Sequence, residues 1–119
     1  MASSTAFAAA KGDPADGKLM YTECEGCHSL KENKIGPRHC GLLGRKAGTV
    51  EDFPSYTHAM KSSGLTWDVE TLDAFLADPL TFVPETGMGY IGIADEQSRL
   101  DLIAFLEQQD KDPSVCPPK

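Results

Sequence analysis

Residues 24–28 read Cys-Glu-Gly-Cys-His, and no other stretch constrains the chain so tightly. Two thiols stand three positions apart, with an imidazole directly after the second. Three chemistries use this spacing. A thioredoxin-like redox pair is the first, but such pairs lie beside a βαβ pattern, and this chain shows none. A structural zinc site is the second. It needs four ligands, so Cys24 and Cys27 would have to join His39 and Cys40. Zinc pairs are usually spaced on both sides, which makes adjacent His39 and Cys40 awkward partners. The third is covalent attachment of haem, for which Cys-x-x-Cys-His is the recognised signature. Each thiol adds across one vinyl group, so both sulfurs must reach neighbouring edges of one porphyrin. The histidine beside the second cysteine is then held under the iron. The pentapeptide favours haem and leaves the other two readings open.

A chain of 119 residues suits one domain with one modest core. No apolar run approaches the ~18 residues that cross a bilayer, so the expectation is a soluble protein. Eighteen acidic and 11 basic residues give a formal charge of −7. That sign disfavours nucleic acid and anionic membrane surfaces, and any charged partner is expected to be basic. The N-terminal MASSTAFAAAKGDP resembles the small-residue end of a secretory signal, without the basic and apolar parts of one. Residues 1–11 are therefore expected to be a mobile signal remnant or cloning remnant. The domain proper is expected over 12–110, with a Pro-rich tail at 111–119.

Asp13-Pro14-Ala15-Asp16 is a strong helix start and predicts a helix over about 14–26, with CEGCH at its end. Residues 29–54 read as loop. A short helix is expected over 55–63, capped by Ser55 and stopped by Gly64. Asp68 caps a third helix, with Leu72, Phe75 and Leu76 on one face and Pro79 at its end. Residues 80–94, LTFVPETGMGYIGIA, read as a loop whose apolar side chains cover something apolar. A last helix begins at Asp95. Leu102, Phe105 and Leu106 line its inner face, and Glu107, Asp110 and Lys111 fall largely outside it. The fold class is mainly α. So small a helical chain with so much loop needs more than its own side chains in its core.

A haem held by His28 needs a ligand on its other face. The candidates are Met20, Met60, Met88, His39 and His58. Methionines more often fill cores, and lone histidines more often face solvent. Met88 differs in its setting, Pro-Glu-Thr-Gly-Met-Gly at 84–89. It stands between two glycines that let the backbone approach a flat ligand. A thioether is soft and favours reduced iron, so His/Met ligation raises the potential.

With these residues in view, the chain resembles a class I c-type cytochrome, both the mitochondrial type and its bacterial periplasmic relatives. CEGCH is followed in the family's order by Gly36-Pro37, GLLGRKAG at 41–48, SYTHAM at 55–60, GLTW at 64–67, DPLTFVPETGM at 78–88 and RLDLIAFL at 99–106. The resemblance implies the cytochrome c fold, with about four to five helices and long loops wrapped around one covalently attached haem c. It implies thioethers at Cys24 and Cys27, His28 as proximal ligand, Pro37 offering its carbonyl to the other ring nitrogen, and Met88 as distal ligand. Arg45, Tyr56, Trp67 and Thr86 match positions that bond or screen the haem propionates. On the residues alone, Tyr56 and Trp67 read as core aromatics and Arg45 as a surface charge. Gly17 and Tyr21 would meet Leu102 and Phe105 where the first helix crosses the last. The implied function is a one-electron carrier between redox proteins, such as an oxidase, reductase, photosynthetic centre or dehydrogenase. It is not an enzyme, and it is expected to be a monomer. The alternative is a haem sensor or peroxidase-like enzyme in which Met88 dissociates, with His58 the sole acid–base candidate nearby.

This sequence departs from the family's pattern in instructive places. Where lysines ring the exposed haem edge in well-known members, it has Glu23, Leu80, Thr81 and Gly87. The docking face is therefore expected to be neutral to apolar, or to meet a basic partner. Phe75 and Met60 stand where a tyrosine and an asparagine are usual, which implies a drier distal pocket. Cys40 and Cys116 are spare thiols, expected to pair as a disulfide rather than stand free. Haem attachment and a disulfide together point to a bacterial periplasm, with the mitochondrial intermembrane space the lesser alternative.

Overall fold

Asp13 opens the first helix, its carboxylate accepting the Ala15 N–H at 2.9 Å with Pro14 in the first helical position. The computed structural model describes residues 11–118. The expected remnant at 1–11 thus lies outside the described residues except for Lys11. Helix α1 runs Pro14–Tyr21, shorter than the sequence predicts. The Thr22 hydroxyl bonds the Leu19 carbonyl at 2.7 Å and competes with the helical ladder. The backbone then tightens: Cys24 N–H bonds Tyr21 O at 2.8 Å, and His28 N–H bonds Cys24 O at 2.8 Å. The CEGCH motif therefore lies on turns after α1, not on its last turn.

Helix α2 is a single turn, His58–Lys61. Its cap is Thr57, whose hydroxyl accepts from Met60 N–H at 3.2 Å, and not Ser55 as expected. The hydroxyls of Ser62 and Ser63 take the His58 and Met60 carbonyls and close it. Helix α3, Val69–Ala77, opens with a full capping box between Asp68 and Thr71. Pro79 ends α3 and also starts something: α4, Pro79–Phe82, occupies a stretch expected to be loop. Asp78 caps it, with the Thr81 hydroxyl donating to the carboxylate at 2.7 Å. Helix α5, Glu96–Asp110, is the longest. Among the described residues the β pairing is a lone antiparallel bridge between Lys46 and Thr66.

The core gathers around α5. Leu102 and Ile103 are essentially inaccessible, and residues 101–106 are all buried. One cluster joins Leu102, Ile103, Phe105 and Leu106 to Tyr21, Leu42, Trp67, Leu72, Phe75 and Leu76. The apolar face of α5 is thus wider than its predicted stripe, because α1 and α3 both pack on it. Arg99 pins its start, bonding Asp73 at 2.7 Å and the Ile93 carbonyl at 2.9 Å.

The crossing of α1 over α5 is set by Gly17. A Cβ there would fall 1.9 Å from the Asp101 carbonyl oxygen and 2.7 Å from Phe105 Cβ. No side chain fits at that distance. The buried Asp101 carboxylate adds a second tie, accepting Asp13 N–H at 2.9 Å and the Gln97 amide at 2.8 Å. Gly17→Val is expected to destabilise the protein by about 3 kcal/mol or more, since the clash is with backbone rather than a movable side chain. Urea unfolding measures it, and a midpoint within error of the parent would show that the helices can separate without penalty.

Candidate functional site

Turns after α1 place two unpaired thiols, Cys24 half-buried and Cys27 exposed, on either side of Glu25 and Gly26. Burial, then the charges of Glu23 and Glu25, push the Cys24 thiol up to about 11. A raised pKa disfavours the Cys24 thiolate, and the described residues form no βαβ unit around the pair, which is the setting of a thioredoxin-like site. The zinc reading loses its ligands. Cys40 is bonded to Cys116, with an S–S distance of 1.97 Å, and the described residues hold no cluster of three His, Cys, Asp or Glu side chains suited to a metal.

His28 is fixed from one side by a strap. Its Nδ1 lies 2.8 Å from the Pro37 carbonyl oxygen. A carbonyl only accepts, so Nδ1 carries the proton and Nε2 keeps its lone pair. Burial lowers the His28 pKa and favours the neutral ring, while the Pro37 bond acts the other way. The strap runs very close. A Cβ on Gly36 would fall 2.2 Å from His28 Cε1. Gly36 N–H bonds Cys27 O at 2.7 Å, which ties the strap back to the motif.

His39 lies on the same strap, two residues past Pro37. Its ring stacks on His28 with centroids 4.1 Å apart and planes at 23°. Two rings stacked face to face cannot grip one iron from opposite sides, so His39 leaves the list of distal candidates. Burial holds its pKa well below the ordinary range. No sequence pattern signals this stacking, because it depends on how the strap folds back over the motif.

The other expected residues fall into groups. Arg45 and Trp67 are joined through backbone: Trp67 N–H bonds Arg45 O at 2.9 Å and Gly44 N–H bonds Trp67 O at 2.7 Å. Trp67 is buried, its ring 5.1 Å from Phe75. The half-buried Arg45 guanidinium donates to the carbonyls of Arg38 and Cys40 and forms no ion pair among the described residues. Tyr56 is half-buried, edge-on to Phe53, with its hydroxyl accepting from Val50 N–H at 3.1 Å. Thr86 is buried, and its hydroxyl accepts from Met88 N–H at 3.3 Å. Met88 packs on the core from a loop in which Glu85 takes a left-handed backbone, φ 67°. The link from this loop to the motif is indirect. Tyr90 donates its hydroxyl to Glu23 at 2.5 Å, next to Cys24.

One reinforcement is not visible in the sequence, and it acts beside the expected disulfide between Cys40 and Cys116. Asp110, expected on the outer face of α5, is half-buried and accepts from Gly41 N–H at 2.8 Å and Leu43 N–H at 2.9 Å. The disulfide ties the tail beside it to the strap at Cys40. Cross-links over so long a loop stabilise by about 2–4 kcal/mol.

These donors fit a haem. Two free thiols precede a neutral imidazole with an open Nε2, and a half-buried guanidinium that forms no ion pair among the described residues is available to an anionic group. The class so defined is a small helical carrier of covalently bound haem. Comparison with known proteins agrees. No protein-family model matches the chain. Cytochrome c2 of Blastochloris viridis is 42% identical over 117 residues, 96% of this chain and 91% of that protein. Cytochrome c of Cochliobolus lunatus is 44% identical over 105 residues, 85% of this chain and 96% of its own. Among solved structures, cytochrome cH from Methylobacterium extorquens matches with a TM-score of 0.79 and 41% identity, covering 82% of this chain and 99% of that one. The chain belongs to the class I c-type cytochromes. It carries one covalently attached haem c and transfers electrons to and from redox partners rather than acting as an enzyme.

The closeness of the strap gives a direct test. Gly36→Ala is expected to cost about 1–3 kcal/mol, because either the His28 ring or the Pro37 carbonyl must move. Unfolding of the holoprotein by urea measures it, and an unchanged midpoint would mean that the strap yields freely.

Proposed function

We propose that Cys24 and Cys27 bind the haem through thioethers and that His28 and Met88 are its axial ligands. The carrying observation is the His28 imidazole, neutral and oriented by Pro37, standing beside two unpaired thiols. The haem supplies a one-electron couple at its iron. The chain's residues hold both axial positions, keep water off the distal side with Phe75 and Met60, and meet the propionates with Arg45, Tyr56, Trp67 and Thr86. With His28 and Met88 both bound, the iron would keep no open position for a substrate. His58, the acid–base candidate of the enzyme alternative, is exposed at the start of α2, and nothing favours that role. The domain spans 12–110, and the disulfide tethers the tail at 111–119.

Met88→Ala is the test of the distal ligand. The weak near-infrared charge-transfer band of sulfur ligation is expected to vanish, and the midpoint potential to fall by on the order of 0.1 V, within the ~0.8 V that axial ligands command. The ferrous variant is expected to bind carbon monoxide quickly. Persistence of the band would assign the ligand elsewhere.

The docking face follows from what replaces the lysine ring. Glu23, Thr81 and Gly87 are exposed, Leu80 is 54% exposed, and Ile91 beyond Met88 is 88% exposed. Gly92 packs against the Ala77 carbonyl, which sets Ile91 near the start of α4. The protein meets its partners as a monomer through a small apolar face with an acidic margin, and the matching surface is apolar with a basic margin. A periplasmic location accords with the disulfide and the thioethers, and mitochondrial-type relatives also match. Electron transfer to a basic partner is expected to slow severalfold between low and physiological salt, and Glu23→Lys to slow it further. Faster transfer by Glu23→Lys would overturn this account of the face.

A further inference from the structure

We propose that His39 is a positioning residue for the proximal ligand: its ring, stacked on His28 and anchored to Tyr21, fixes the plane of that imidazole and the polarity behind it. The inference rests on His28 being the proximal ligand.

Two constraints orient a ring. The Pro37 carbonyl fixes the direction of the Nδ1–H vector. It leaves the ring free to tilt about that bond. A second ring stacked at 4.1 Å and 23° removes the tilt. An aliphatic side chain would fill the same space without imposing a plane.

His39 is itself held firmly. Its Nδ1 lies 2.9 Å from the Tyr21 hydroxyl, and the buried Tyr21 ring packs on Phe105 of α5, centroids 5.3 Å apart. Its own N–H bonds Ser29 O at 3.0 Å, and the next residue bonds Leu30 O at 2.8 Å. Arg45 holds the carbonyls on either side of it, those of Arg38 and Cys40. The disulfide leaves the chain at the following residue. The ring cannot swing off His28 without breaking several of these bonds.

The stacked ring also has an electronic consequence. Ferric iron carries one more positive charge than ferrous, and part of it spreads into the bound imidazole. The electron-rich face of His39 stands against that charge and favours the ferric state. Its loss therefore raises the potential.

The test uses the holoprotein and three variants, His39→Leu, His39→Gln and Tyr21→Phe. The readouts are the midpoint potential and the hyperfine-shifted proton NMR spectrum of the ferric form, which reports the plane of the axial imidazole. His39→Leu is expected to raise the ferrous-to-ferric ratio at fixed ambient potential about tenfold, equal to about 59 mV for a one-electron couple. The order of the haem methyl shifts should change with it. His39→Gln keeps a polar group and loses the ring, so it should change the methyl pattern too. Tyr21→Phe should shift both readouts less, in the same direction. A lower melting temperature with potential and methyl pattern unchanged would make His39 structural only and overturn the proposal. So would a parent-like His39→Gln, which would credit the hydrogen bond instead of the stack. If His39→Leu does not fold, the other two variants decide. Absence of axial-imidazole resonances in the parent itself would overturn the ligand assignment beneath the proposal, and the proposal with it.

Discussion

The contact of α1 with α5 at Gly17 is the constraint on which the rest of the structure depends. Backbone meets backbone there, with no room for a side chain. This one crossing aims the end of α1, so it decides where the turns carrying Cys24, Cys27 and His28 emerge. The same crossing brings Tyr21 against Phe105 and leaves its hydroxyl beside His39. At its far end α5 supplies Asp110, which holds the Gly41 and Leu43 amides. The two helices therefore hold the proximal strap from both ends.

Most of the fold was legible because local signals agreed with global ones. Asp13-Pro14 and Asp68 each announced a helix that formed, and the stripe of Leu102, Phe105 and Leu106 announced the face that buried. The miss at α4 is telling, since Asp78-Pro79 repeats the Asp-Pro signal that opened α1. After the α3 stripe Pro79 reads as an end, although a proline in the first turn serves equally as a beginning. The helix boundaries failed where side-chain hydroxyls captured carbonyls, at Thr22 and at Ser62 and Ser63. Propensity does not show which hydroxyl will win such a contest.

At the site, legibility followed sequence distance. CEGCH is contiguous, and its chemistry can be read from spacing alone. The His39 stack, the Tyr90–Glu23 bond and the Asp110 clamp each join residues brought together by folding. By residue type alone His39 suits a zinc ligand and a distal ligand equally. Only the path of the strap over His28 decides between those uses and the one observed. Helical phase alone points Asp110 to solvent, which holds for a helix against one neighbour. The strap covers that face as well.

The bond between Cys40 and Cys116 gives the chain an unusual mechanical topology. The cysteines are 76 positions apart in sequence, so everything between them forms a closed covalent ring. Tension applied between the two ends of the domain passes from Cys40 directly to Cys116. Helices α2 to α5 and the Met88 loop all lie inside the ring and carry little of it. The segment that bears load is the N-terminal arm, with α1, CEGCH and the His28 strap. A pulling force would therefore strip the proximal side first, while the distal loop stayed within its ring.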